Sequence, residues 1–236
     1  YKRQILACPK ESRVLIPKGS YRITSLFLKS NLRLELAKGA ELIADTDRAA
    51  YPKFPGMIES YDEQGEYNLG TWEGNPLPMF AGIITGLDVE NVLIYGRGTI
   101  NGNASKENWW KNPKVMVGAF RPRLFFLSHC QNVTLCGVTF KNSPSWTLHP
   151  YFSDNLKFYG LTINNPSDSP NTDGLDPESC KNVDIVGVKF SLGDDCIAVK
   201  SGKIYMGKKY RTPSENIHIR QCLMENGHGA VTVGSE

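Results

Sequence analysis

A short pattern that opens on asparagine recurs along this 236-residue chain, its copies keep a constant core at unequal spacing, and two-residue hairpin loops are almost absent. Together these predict an all-β fold: a right-handed parallel β-helix, a single solenoid domain over residues 1–236.

The copies justify the elements in order. A weak one opens at Asn31, and Asn91 begins a fuller one with one extra residue before Ile100. Asn132 to Asn142 reads Asn-Val-Thr-Leu-Cys-Gly-Val-Thr-Phe-Lys-Asn, and Asn155 to Asn165 repeats that skeleton. Copies at Asn182 and Asn216 follow. Within each, apolar residues fall two apart and the parity shifts at the glycine, which is a strand, a bend and a second strand. From Asn91 onward the leading asparagines stand 41, 23, 27 and 34 residues apart, as expected of similar coils carrying loops of different length. No unit of this size buries its own apolar face, so stacked neighbours must supply the core. A β-sandwich is the alternative, and it requires the hairpins that are scarce here. Helical spacing is absent apart from a remnant at Tyr1 to Ala7. Tyr51 to Pro78 and Ser201 to Ser214 break the pattern and read as insertions, which in a solenoid wall a cleft or lie as solvated loops.

Composition sets limits. Hydrophobic residues make up 40% and charged residues 22%, which excludes disorder. The longest near-apolar stretch, Met79 to Leu87, is too short for a membrane span, and a net charge of +3 gives no case for nucleic acid. Six cysteines without a Cys-x-x-Cys pair argue against zinc and read as small buried hydrophobes, with disulfides as the alternative. No leader is visible, so the compartment stays open at this point.

The repeat also places acids. Asp194 lies twelve residues after Asn182, and His228 lies twelve after Asn216, so stacked coils set them ~4.8 Å apart along the axis. Aligning Leu175 with Ile197, and Ile197 with Val231, brings Asp173 beside Asp195 in the same way. Like charges repel and raise one another's proton affinity, so folding gives no reason for such a patch. Solvated turn aspartates, a Ca²⁺ site and coincidence of spacing are the other readings. The patch suits glycoside hydrolysis, which needs one protonated and one ionised carboxyl, a division that crowding produces. By the same alignment Trp146 and His149 fall one coil before Asp173 and Asp176, where they line a sugar subsite or stack in the core.

Asn171-Thr-Asp-Gly174, Gly193-Asp-Asp-Cys196 and Gly227-His-Gly229 resemble the first three signature motifs of the polygalacturonases, glycoside hydrolase family 28. The likeness extends through Trp146-Thr-Leu-His-Pro150, Asp176-Pro-Glu-Ser-Cys180 and Ala198-Val-Lys-Ser-Gly202, covers nearly the whole chain, and is most like the bacterial exo-acting branch. It implies a right-handed parallel β-helix that hydrolyses α-1,4 links of polygalacturonate, or a related pectic oligosaccharide, with inversion. By motif position Asp194 is the general acid, Asp173 and Asp195 activate water, and His228 supports the acid. Asn171 and Lys200 are implied substrate contacts, and Arg121 is a candidate cation for the sugar carboxylate. No metal and no cofactor are implied. The expected compartment is secreted or periplasmic, with cytoplasmic as the alternative.

One departure stands out. The family's Arg-Ile-Lys motif lies downstream of Gly-His-Gly, and this chain ends at Glu236 without it. The expectation is a solenoid incomplete at both ends, weakly active or inactive alone, with a partner segment as one source of the missing coils. A pectate lyase with Ca²⁺-binding aspartates and a non-catalytic carbohydrate-binding solenoid are the competing functions. Tyr51 to Pro78 and Arg121 to Leu124 are candidate walls for exo action.

Overall fold

A computed structural model describes residues 2–9, 12–56 and 69–235. The described chain winds as a right-handed β-helix with three parallel sheets. In the first, strands Val14–Ile16, Arg33–Leu36, Glu90–Gly96, Gln131–Cys136, Asp154–Tyr159, Lys181–Val186 and Glu215–Arg220 stack in sequence order. The second starts at Gly19–Ile23 and ends at Leu223–Asn226, taking up the second strand of every repeat copy. The third runs through Leu26–Phe27, Ile84–Leu87, Phe125–Ser128 and Leu148–Tyr151. Bridges at Leu175 and Glu178 carry it on to Ile197–Val199 and Val231–Val233. This third strand per coil is absent from the two-strand reading of the repeat.

Register explains the core. Val92, Val133, Leu156, Val183 and Ile217 are partners in successive coils, as are Ile94, Leu135, Phe158, Ile185 and Ile219. A second column joins Leu42, Ile100, Phe140, Ile163, Phe190 and Met224. Each row adds one apolar residue per coil to a continuous stack, buried throughout except at the last coil, where Ile217, Ile219 and Met224 are only partly covered. The period-2 pattern therefore puts every second side chain inside.

The leading asparagines have a specific role. Asn91, Asn132, Asn155, Asn182 and Asn216 all take the left-handed conformation, with φ between 52° and 57°. Their amides form a ladder between coils, broken once where Asn182 Nδ2 donates to Asp154 Oδ1 instead: Asn132 Nδ2 donates to Asn91 Oδ1 at 3.1 Å, and Asn155 Nδ2 donates to Asn132 Oδ1 at 2.6 Å. Asparagine tolerates this conformation and supplies the hydrogen bonds, whereas most residues do neither. Asn132→Ala is expected to cost about 1–2 kcal/mol in chemical denaturation, and Asn132→Gly less, because glycine loses the ladder but not the backbone fit.

Two expectations need correction. The 201–214 insertion is helical over Ile204–Tyr210, capped by Arg211 at φ 47°, although its sequence lacks an apolar stripe of useful length. The other insertion holds a two-residue hairpin, Thr71–Trp72 to Asn75–Pro76, turning on Glu73 and Gly74 at positive φ. Residues 57–68 of that insertion, and Tyr1 of the helical remnant now seen over Lys2–Ala7, lie outside the described residues. The insertions meet: Met206 N donates to Gly74 O at 3.4 Å, and Met206 packs with Phe54, Leu69, Met79, Phe126 and Tyr151 in a second apolar cluster outside the solenoid core. Among the described residues all six cysteines are free thiols; Cys8, Cys130, Cys180 and Cys196 are buried as the small-hydrophobe reading expects, while Cys136 is exposed.

Candidate active site

The site is built where the chain enters the third sheet, with Asp173 just ahead of Leu175 and with Asp194 and Asp195 just ahead of Ile197. Leu175 bridges Ile197 and Ile197 pairs with Val231, the alignment the spacing implies. Thr147 N donates to Asp173 O at 2.8 Å, Gly174 N to Asp195 O at 2.9 Å, and His228 N to Asp194 O at 2.8 Å. The motif glycines are required by close approach. A Cβ on Gly174 would stand 2.4 Å from Cys196 O, and one on Gly229 would stand 2.7 Å from an oxygen of the Asp195 carboxyl.

One oxygen from each of Asp173, Asp194 and Asp195 lies within 4.8 Å of the others, the one such acidic group among the described residues. His228 Nδ1 stands 3.4 Å from Asp194 Oδ1, and Asp194 Oδ1 accepts from Asp195 N at 3.1 Å. Asp194 and His228 keep 23% and 70% of their side-chain surface, whereas Asp173 is only 5% exposed. Burial first, and then the charge of Asp194, pushes the Asp173 carboxyl up to about 7. Asp173 Oδ1 has no hydrogen-bond partner among the described residues, which also favours the protonated form. Three carboxylates are a donor set that suits a hard divalent cation as well as proton transfer. A concavity of about 650 Å³ at the far end of the stack, lined by Arg3, Ile16, Arg22 and Leu42 among others, is remote from this patch.

The other candidates divide. Asn171 is half-buried at φ 54°, and its Oδ1 accepts from Arg121 Nη2 at 2.7 Å. Arg121 itself is buried and also donates to Pro144 O and Pro170 O, so it holds Asn171 rather than facing a sugar carboxylate. Trp146 and His149 are buried as well, so the core reading replaces the subsite reading for both. Trp146 lies between the guanidinium of Arg123, 3.9 Å from its ring centre, and the ammonium of Lys200 at 4.5 Å. The 121–124 segment is buried throughout and forms a floor, not a wall. Trp72, from the hairpin, was not singled out by sequence; it stacks on Phe120 at 5.1 Å and on Trp146 at 5.9 Å, tying the insertion to the floor. Glu178 was also missed, although the alignment that pairs Leu175 with Ile197 puts it opposite Lys200 three residues on.

Coils in register that gather carboxyls and an imidazole on one flank define the class, a parallel β-helix bearing an acid–base patch. The chain belongs to glycosyl hydrolases family 28, whose model matches residues 11–236. It is 32% identical to a probable polygalacturonase of Vitis vinifera, over 95% of this chain and 44% of that protein. It is 32% identical to an endo-polygalacturonase of Pectobacterium parmentieri, over 97% of this chain and 56% of that one. The exopolygalacturonase of Thermotoga maritima superposes with a TM-score of 0.80 at 26% identity, over 99% of this chain and 57% of that structure. The chain thus spans about half the length of the relatives it matches.

Proposed function

We propose that the protein carrying this chain hydrolyses α-1,4 links between galacturonate units of pectin, from a chain end. The observation that carries this is the convergence of Asp173, Asp194 and Asp195, with His228 beside Asp194, inside a family 28 match. Asp194 donates the proton to the leaving oxygen, Asp173 and Asp195 activate water, and His228 orients Asp194. Motif position gives the acid to Asp194, whereas burial puts the most tightly held proton on Asp173. One oxygen of each carboxyl lies within 4.8 Å of the others, close enough for a proton to pass between them. Asp194 keeps the acid role because it has open surface and Asp173 does not. Asn171 faces the substrate side in this reading, whereas Lys200, a contact by motif likeness, is only 5% exposed and is not assigned to the sugar, and the joined insertions close one end of the cleft.

Inverting carboxyl pairs usually stand roughly 6.5–9.5 Å apart. The oxygens here approach more closely, so inversion rests on the family likeness and on Asp173 and Asp195 acting together on one water. A substrate too large to cross a membrane places the reaction outside the cytoplasm, secreted or periplasmic. Among the described residues no helix is long and apolar enough to span a bilayer. Chromatography of oligogalacturonate digests by the full-length protein is expected to show monomer or dimer alone, and proton NMR of the fresh product the inverted anomer. The rate should be unchanged in chelator, without an ultraviolet-absorbing unsaturated end. Mixed product sizes would end the exo reading, and chelator-sensitive absorbance would replace hydrolysis by elimination.

A further inference from the structure

Beneath the acid patch lies a layer of buried ionisable groups that the hydrolytic reading does not use. Arg123, His149, Asp176, Glu178 and Lys200 come from four successive coils, and none keeps more than 5% of its surface. Burying so many charges has no advantage over an apolar core unless their arrangement matters.

Hydrogen bonding gives the layer a direction. Arg123 Nε points at His149 Nδ1 at 3.4 Å, while its Nη1 donates to Ser145 Oγ and its Nη2 to Thr71 O. A guanidinium cannot accept, so Nδ1 is the accepting nitrogen and the ring proton sits on Nε2. That proton is donated to Glu178 Oε2 across 2.8 Å. Burial, with the charges of Arg123 and Lys200 next, holds His149 well below its ordinary range, and burial pushes the Glu178 carboxyl up to about 7 against the pull of Lys200 and Arg123, so the contact is a neutral imidazole on a carboxyl rather than an ion pair. Backbone pairing sets Glu178 opposite Lys200, whose Nζ is 3.8 Å from Asp176 Oδ1. Lys200 in turn opposes the rise in the proton affinity of Asp173.

We propose that Glu178, aimed by His149 and Arg123, is a positioning residue that fixes the Lys200 ammonium beside Asp173 and so governs the pH at which the acid patch gives up its proton. The inference rests on the hydrolase reading. The charged and titratable groups around Glu178 and Lys200 are Arg123, His149, Tyr151, Asp173, Asp176 and Cys180. With Glu178 uncharged, Lys200 is less compensated and pulls harder on the Asp173 proton.

The test is the pH–rate profile of the full-length protein. Glu178→Gln is expected to move the acidic limb of kcat, where Asp173 ionises to activate water, down by about one pH unit, and Lys200→Met to move it up. Glu178→Asp keeps the charge but shortens the reach, so its limb should stay in place while kcat falls several-fold. A Glu178→Gln profile that overlays the wild type overturns the proposal. If that variant does not fold, wild-type kinetics in Glu178→Asp overturn it instead. A wild-type protein without turnover would end the hydrolase reading separately. Carbon-13 NMR titration of Asp173 in wild type and Glu178→Gln, which needs no turnover, then decides: a lowered midpoint in the variant supports the inference and an unmoved one sinks it.

Discussion

Asp194→Asn in the full-length protein is expected to lower kcat at least ~100-fold, about 2.7 kcal/mol in the barrier, with the coil stack intact. An amide cannot donate a proton to the leaving oxygen, yet it preserves the local bonds. Its oxygen still accepts from Asp195 N, now at 3.1 Å, and still faces His228 Nδ1. The backbone bond from His228 N to Asp194 O, which ties the two coils, involves no side chain. Because Asp194 is partly exposed, the change buries no unpaired group, so circular dichroism and melting should match the wild type at neutral pH. A variant that keeps more than a tenth of kcat would place the acid on another carboxyl, with Asp173 the next candidate because burial already holds its proton to about 7.

The acid patch was legible because it depends on register alone. Leu175, Ile197 and Val231 are apolar at matching offsets, and their pairing carries Asp173 to Asp195 without any knowledge of loops. The asparagine that opens each copy was equally visible, since only a few residue types accept its backbone conformation and the same type must then recur. What could not be read depends on direction rather than register. Trp146 and His149 were correctly placed one coil before the acids, but alignment cannot say that they turn into a cation–aromatic layer instead of toward the cleft. Arg121 was misjudged for the same reason, as its burial comes from contacts with Pro144, Pro170 and Asn171 in neighbouring coils. The helix over Ile204–Tyr210 and the Glu73-Gly74 hairpin escaped because each is short and stabilised by the other insertion, through Met206 and Gly74, rather than by its own pattern.

Asp173→Asn, unlike Asp194→Asn, should raise stability at neutral to basic pH, with a similar loss of turnover. The Asp173 carboxyl keeps its proton to about 7 when folded, against 3.8 as its ordinary value. Between those pH values the folded protein binds a proton that the unfolded chain has released, so stability falls as pH rises through the window and the loss is complete above it. Asparagine fills the same space without ionising, and it escapes that loss. The gain expected at pH 8 is on the order of 4 kcal/mol, or roughly 8–16 °C in melting temperature, shrinking to nothing near pH 4. Melting curves of both proteins across that range check the sign. If the variant is the less stable one at pH 8, Lys200 outweighs burial and holds Asp173 ionised, and water activation would then start from a carboxylate already formed. If it is more stable yet inactive, the site carries a proton-holding carboxyl that folding disfavours at neutral pH. Such a group is explained by the chemistry it performs rather than by the architecture that surrounds it.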